Sequence, residues 1–95
     1  MLVELSITPL NGNTHISEDI ANILEIIRNS DLRHELTPTG TCIEGEWDEV
    51  MPVVKRCHEE AKDRSRHVIT HIKIEDDEGE TNKIEQNITS VKEKM

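Results

Sequence analysis

The sequence predicts an α+β domain whose elements run strand, helix, strand, strand, helix, strand, closed by one more helix. Three observations carry this. Apolar residues recur at every second position in short runs at the start of the chain and after residue 66. They recur at spacings of three and four in two longer segments. Between those segments Gly40 separates two short alternating runs, where a tight or bulged hairpin would form.

Taken in order, residues 2–10 alternate, with Val3, Leu5 and Ile7 on one side and Glu4, Ser6 and Thr8 on the other. Pro9 ends this strand, and Asn11, Gly12 and Asn13 form a turn cluster. Ser17 is the candidate cap of a helix over residues 17–29, with Glu18 and Asp19 in the first turn and Ile20, Ile23, Leu24 and Ile27 as its stripe. Residues 33–39 and 41–46 form the two middle strands. Leu36 and Ile43 point inward, and Glu35, Thr37, Cys42 and Glu44 outward.

A second helix spans residues 48–63 on the stripe Val50, Val53, Val54, Cys57 and Ala61, with Pro52 near the first turn, where a missing amide costs little. Residues 67–75 form the fourth strand, with Val68, Thr70, Ile72 and Ile74 on one face and Ile69, His71 and Lys73 on the other. After an acidic loop at 76–80, Asn82 and Glu85 make a capping-box-like pair, and Ile84, Ile88, Val91 and Met95 continue at helical spacing. This order is the ferredoxin-like βαββαβ arrangement, with a four-stranded antiparallel sheet, both main helices on one face and an extra C-terminal helix, all within one domain of residues 1–95.

Composition limits the function classes. Twenty Asp and Glu against eleven Lys and Arg give a net charge of −9, which argues against nucleic acid and against an anionic membrane surface. No segment has the make-up of a signal peptide or the length of a membrane span, so a cytoplasmic location is expected. Cys42 and Cys57 are then expected to be reduced thiols. Leu, Ile and Val supply 24 residues and Trp47 is the one aromatic side chain, so the core is thin and aliphatic. A thin core beside a polar sheet face bearing Cys42 and Ile69 predicts that a second copy covers that face.

Chemically suggestive groups reduce to structural ones when their spacing is considered. Cys57 and His58 are adjacent on a helix and cannot face each other, and Cys57 falls on the apolar stripe. His67 and His71 share a strand face but lie roughly 13 Å apart, too far for one metal ion, so no metal and no cofactor is expected. The acidic run at 75–80 lacks the donor pattern of a calcium loop. Glu44 reads two ways: as a paired residue in a subunit interface, or as an anchor accepting from an amine or a protonated ring nitrogen. Trp47 would pack at an interface or stack on a ligand ring.

The segment Gly40-Thr41-Cys42-Ile43-Glu44-Gly45-Glu46-Trp47-Asp48-Glu49-Val50-Met51 closely resembles the signature stretch of the YkoF-like thiamine-binding family. Ile7-Thr8-Pro9-Leu10, Ile16-Ser17-Glu18-Asp19-Ile20-Ala21, Cys57-His58-Glu59 and Thr70-His71-Ile72-Lys73-Ile74 resemble the family at the expected places. The resemblance implies a ferredoxin-like fold with an added helix, homotetrameric assembly, and binding of thiamine or hydroxymethylpyrimidine without catalysis. The chain departs from the family where the fourth strand runs into Glu75-Asp76-Asp77 rather than a basic residue, and where no glycine follows Pro9. If the family's basic residue after the fourth strand touches a phosphate, its absence here makes phosphorylated ligands less expected.

The leading expectation is therefore a non-enzymatic thiamine-class binding protein, its ligand between the sheet face and a neighbouring subunit. Glu44 would accept from the aminopyrimidine, Ser6, Thr8, Thr37, Thr39 and Thr41 would supply neutral contacts, and His71 would lie close by. The alternative is an oligomeric interaction or regulatory protein without a small ligand. An acid–base pair of Glu44 and His71 is the enzymatic rival.

Overall fold

The computed structural model describes residues 1–10, 16–78 and 83–94. The turn cluster at 11–13 and the cap residue Asn82 lie outside these, as does Met95; of the Ser17 side chain nothing is described.

The strands are β1 (Leu2–Pro9), β2 (Arg33–Thr37), β3 (Gly40–Glu44) and β4 (Val68–Glu75), and the helices α1 (Ile16–Asn29), α2 (Trp47–Arg64) and α3 (Lys83–Lys94). The sheet order is β2-β3-β1-β4, and all three strand pairs are antiparallel. This is the ferredoxin-like fold with an extra terminal helix.

The alternation of β1 sets the layers. Val3 and Leu5 are buried beneath α1 and α2 with Ile23, Ile27, Ile43, Val50, Val53, Val54, Cys57 and Ala61. The helix stripes meet that sheet face as their periodicity requires. Between the helices, α1 ends through Asp31 at φ 61°, a left-handed position that Asp tolerates. At the start of α2, the Glu46 amide donates to Glu49 Oε1 at 3.0 Å.

Several apolar residues face the helix layer without being enclosed. Leu36 is 61 % exposed, because β2 is an edge strand that α1 faces across a cleft without closing over it. Ile72 and Ile74, on the opposite edge strand, are exposed as well, and Ile20 stands at the rim of α1.

The face opposite α1 and α2 carries Glu4, Ser6, Thr8, Arg33, Glu35, Thr37, Cys42, Glu44, His71 and Lys73, by the strand register. It is not open along its whole length. The first turn of α3 docks at its Glu44 end, burying Ile84, while Ile88 and Val91 further along α3 are exposed. A Cα radius of gyration of 14.2 Å, against about 12–13 Å for a compact chain of this length, fits a helix that extends beyond the body.

Candidate functional site

The ladder between β1 and β3 stops early. It pairs Leu2 with Glu44, Val3 with Ile43, Glu4 with Cys42 and Leu5 with Thr41, and goes no further. β3 has by then turned back into β2 through Pro38 and Thr39, with Thr37 opposite Gly40. β1 runs on to Pro9, and among the described residues that stretch pairs only with β4. A wedge opens where the two strands diverge, and α1 closes its helix-side wall.

This wedge is a cavity of about 210 Å³. Leu5, Ile7, Ile20, Ile23, Leu24 and Leu36 supply apolar walls, and Ser6, Thr37, Thr39 and Thr41 supply hydroxyls. Among the described residues no Lys or Arg lines it. The hairpin tip that forms one wall satisfies itself: Thr37 Oγ1 donates to the Gly40 carbonyl at 3.1 Å, and the Thr39 amide donates to Thr37 Oγ1 at 3.3 Å. Gly40 is required here, because a Cβ at that position would lie 2.5 Å from the Leu5 carbonyl oxygen. The close approach fixes the apex of the wedge.

The seven residues singled out from the sequence separate into three groups. Ser6, Thr37, Thr39 and Thr41 meet in the wedge. Thr41 reaches it from the helix side of the sheet, sharing the side of Ile43, and Thr39 from the turn. Thr8 and His71 lie on the opposite face, with His71 cross-strand from Ser6. Glu44 stands apart, opposite Leu2 and so four residues along β1 from Ser6, roughly 13 Å at strand rise.

Glu44 is 7 % exposed, and its Oε1 accepts from the Ile84 amide at 3.4 Å in the first turn of α3. A carboxylate at a helix N-terminus meets both unpaired amides and the positive end of the dipole. Arg33 and Glu85 form an ion pair at 3.6 Å across the same junction. His71 lies cross-strand from Ser6 and Glu44 from Leu2, so the two cannot exchange a proton directly.

Neither thiol is primed for attack. Burial pushes the Cys57 thiol up to about 11, with Arg56 opposing, and its Sγ lies 3.9 Å from the Ile23 carbonyl it donates to. Burial also raises Cys42, aided by Glu4 and Glu35 and opposed by Lys73. Among the described residues no group of three His, Cys, Asp or Glu is placed to hold a metal ion, and no helix is long and apolar enough to cross a membrane.

Sequence reasoning missed one buried carboxylate. Asp19, in the first turn of α1, is 4 % exposed, with Oδ1 3.5 Å from Arg64 Nη1. Its position off the apolar stripe gave no signal, because the partner lies 45 residues away.

Comparisons agree with this architecture. The chain is 34% identical over 95 residues to a UPF0045 protein of Methanothermobacter thermautotrophicus, covering 97% of this chain and 96% of that one. It is 33% identical over 92 residues to a UPF0045 protein of Mycobacterium bovis, covering 96% and 90%. The crystal structure of the Methanocaldococcus jannaschii protein MJ1052 superposes with a TM-score of 0.87 at 27% identity, over 97% of this chain and 95% of that one. A Bacillus cereus domain of unknown function superposes with a TM-score of 0.80 at 26% identity, over 92% and 85%. The family model described as thiamine-binding protein matches residues 3–92, so this chain belongs to the thiamine-binding protein family.

Proposed function

We propose that this protein is a non-catalytic binder of thiamine or its hydroxymethylpyrimidine moiety, and that the wedge between β1, the β2–β3 hairpin and α1 receives the pyrimidine ring. The observation that carries this reading is the wedge itself. It is a preformed apolar slot with four hydroxyl groups, in a chain of the thiamine-binding family. Its volume of about 210 Å³ is below the about 300–1,000 Å³ of pockets that enclose whole drug-sized ligands, so it suits one ring rather than two.

The thiazolium would then stand outside, towards the sheet face that carries Ser6 and Thr37, where a second subunit would cover it. A net charge of −9 suits a cationic ring, and a described lining without Lys or Arg offers no cation to a phosphate. Assembly as a homo-oligomer, a tetramer on the family's pattern, belongs to the proposal, as does a cytoplasmic setting.

Isothermal titration with thiamine and with hydroxymethylpyrimidine tests it. Both should bind the wild type. Ile20→Trp, at an exposed rim position of the wedge, should abolish binding with little change in melting temperature. Absence of heat at millimolar ligand with the wild type would refute the proposal.

The second reading, an interaction protein without a small ligand, draws on apolar side chains left in solvent: Trp47, Ile69, Ile72, Ile74, Ile88 and Val91. It predicts the same assembly, but no ligand-dependent rise in melting temperature.

A further inference from the structure

We propose that the backbone of Ile7, through its own N–H and C=O, reads the donor–acceptor edge of the aminopyrimidine. The inference rests on the binding function proposed above and names the group that would give the site its specificity.

Strand register carries the argument. In an antiparallel sheet, alternate residues of a strand send both backbone groups to the same neighbour. Two hydrogen bonds fix the alternation in β1. The Gly45 amide donates to the Met1 carbonyl at 3.1 Å, so Met1, Val3, Leu5 and Ile7 address the β3 side. The Leu10 amide donates to the His67 carbonyl at 2.8 Å, so Leu2, Glu4, Ser6, Thr8 and Leu10 address β4. The two assignments agree.

Leu5 has its partner in Thr41, but the residue that would serve Ile7 is Thr39. Thr39 has left the ladder for the hairpin turn, and its amide is taken by Thr37 Oγ1. Among the described residues no strand pairs with Ile7 on that side, and the alternation of β1 turns its N–H and C=O towards the wedge that Ile7 lines. A strand interior with an unanswered donor and acceptor is costly unless water or a ligand answers them.

A 4-aminopyrimidine presents the complement, a ring nitrogen that accepts beside an amino group that donates. The ring nitrogen would accept from the Ile7 amide and the amino group would donate to the Ile7 carbonyl. The ring would complete the missing rung as a strand would. The hydroxyls of Ser6 and Thr39 remain for the ring's substituents.

The test is amide hydrogen exchange and ¹⁵N-resolved NMR on the full chain. In the free protein the Ile7 amide should exchange much faster than those of Leu5, Ser6 and Thr8. Saturating hydroxymethylpyrimidine should slow Ile7 by at least about tenfold and move its resonance, leaving Leu5 unchanged.

On the ligand side, pyrithiamine keeps the aminopyrimidine and should bind like thiamine. Oxythiamine, whose amino group is replaced by oxygen and whose ring nitrogen carries a proton, should bind at least about tenfold more weakly. If thiamine binds by calorimetry but Ile7 exchange is unaltered, or oxythiamine binds equally well, this inference falls while the binding function stands. If neither thiamine nor the pyrimidine binds, both fall together.

Discussion

Substituting Gly40 by Ala tests the geometry of the wedge without touching any candidate ligand group. The added Cβ would sit 2.5 Å from the Leu5 carbonyl oxygen, about 0.9 Å inside the 3.4 Å at which ordinary contact begins. The obstacle is backbone, bonded to Thr41 in the β1–β3 ladder, so no rotamer change relieves it. Overpacking costs about 1–3 kcal/mol, and a clash that must push one strand away from its neighbour belongs in the upper half of that range.

Against this, Ala restricts the unfolded chain and returns about 0.4–1 kcal/mol. The net expectation is a loss of about 2 kcal/mol, or about 8–16 °C in melting temperature for a domain of this size. Gly45→Ala is the control. There the new Cβ meets Val50 Cγ2 at 3.1 Å, a side-chain methyl that can yield, so its cost should stay below about 1 kcal/mol. Urea unfolding of both variants, with matched m-values, gives the comparison. If Gly40→Ala is as stable as Gly45→Ala, the strands do not approach as described and the wedge loses its apex.

Two further predictions concern the buried ionisable groups. Glu44→Ala should cost about 0.5–2 kcal/mol and speed tryptic cleavage at Lys92 by loosening α3. Glu44→Gln, which keeps the acceptor but not the charge, should cost only about 0.3–1 kcal/mol; urea midpoints and a proteolysis time course check both. Because the Cys57 thiol is raised to about 11 when folded, its contribution to stability should be complete below pH 9 and decline as pH rises towards 11. The wild type should lose about 2 kcal/mol more over that interval than Cys57→Ala, and an equal pH slope in the two proteins would contradict the assignment.

The layers of this fold were legible because alternation in β1 and the stripes of α1 and α2 are direct consequences of one buried face per element. Val3, Leu5, Ile23, Ile27, Val50 and Cys57 were all assigned correctly to the core on that ground. Leu36, Ile72 and Ile74 show the limit of the same reasoning. Periodicity gives the side a residue faces, whereas burial depends on whether the strand lies at the centre or the edge of the sheet.

The candidate site was only partly legible. Thr37, Thr39 and Thr41 around Gly40 are legible as hydroxyls clustered at one hairpin, but the wedge they line depends on where β1 and β3 part, which local sequence does not record. Glu44 reads in the sequence as an outward carboxylate, but its contact with α3 joins residues 40 positions apart and leaves no trace in local spacing. The backbone of Ile7, which no described strand answers on the β3 side, leaves no trace in the sequence for a different reason. Side-chain patterns do not record where a neighbouring strand stops.

That interruption in the ladder also bears on solubility. An unpaired strand edge normally invites another chain to pair along it, which is how sheets seed aggregates. Among the described residues the invitation here is one residue wide. Leu5 is already engaged, and the next residue facing the gap is Pro9, which has no amide to offer. A foreign strand entering the gap would gain a single complete rung and then meet a missing donor, too little to repay its ordering. The chain can therefore leave a stretch of an interior strand unpaired without becoming a template for its own precipitation.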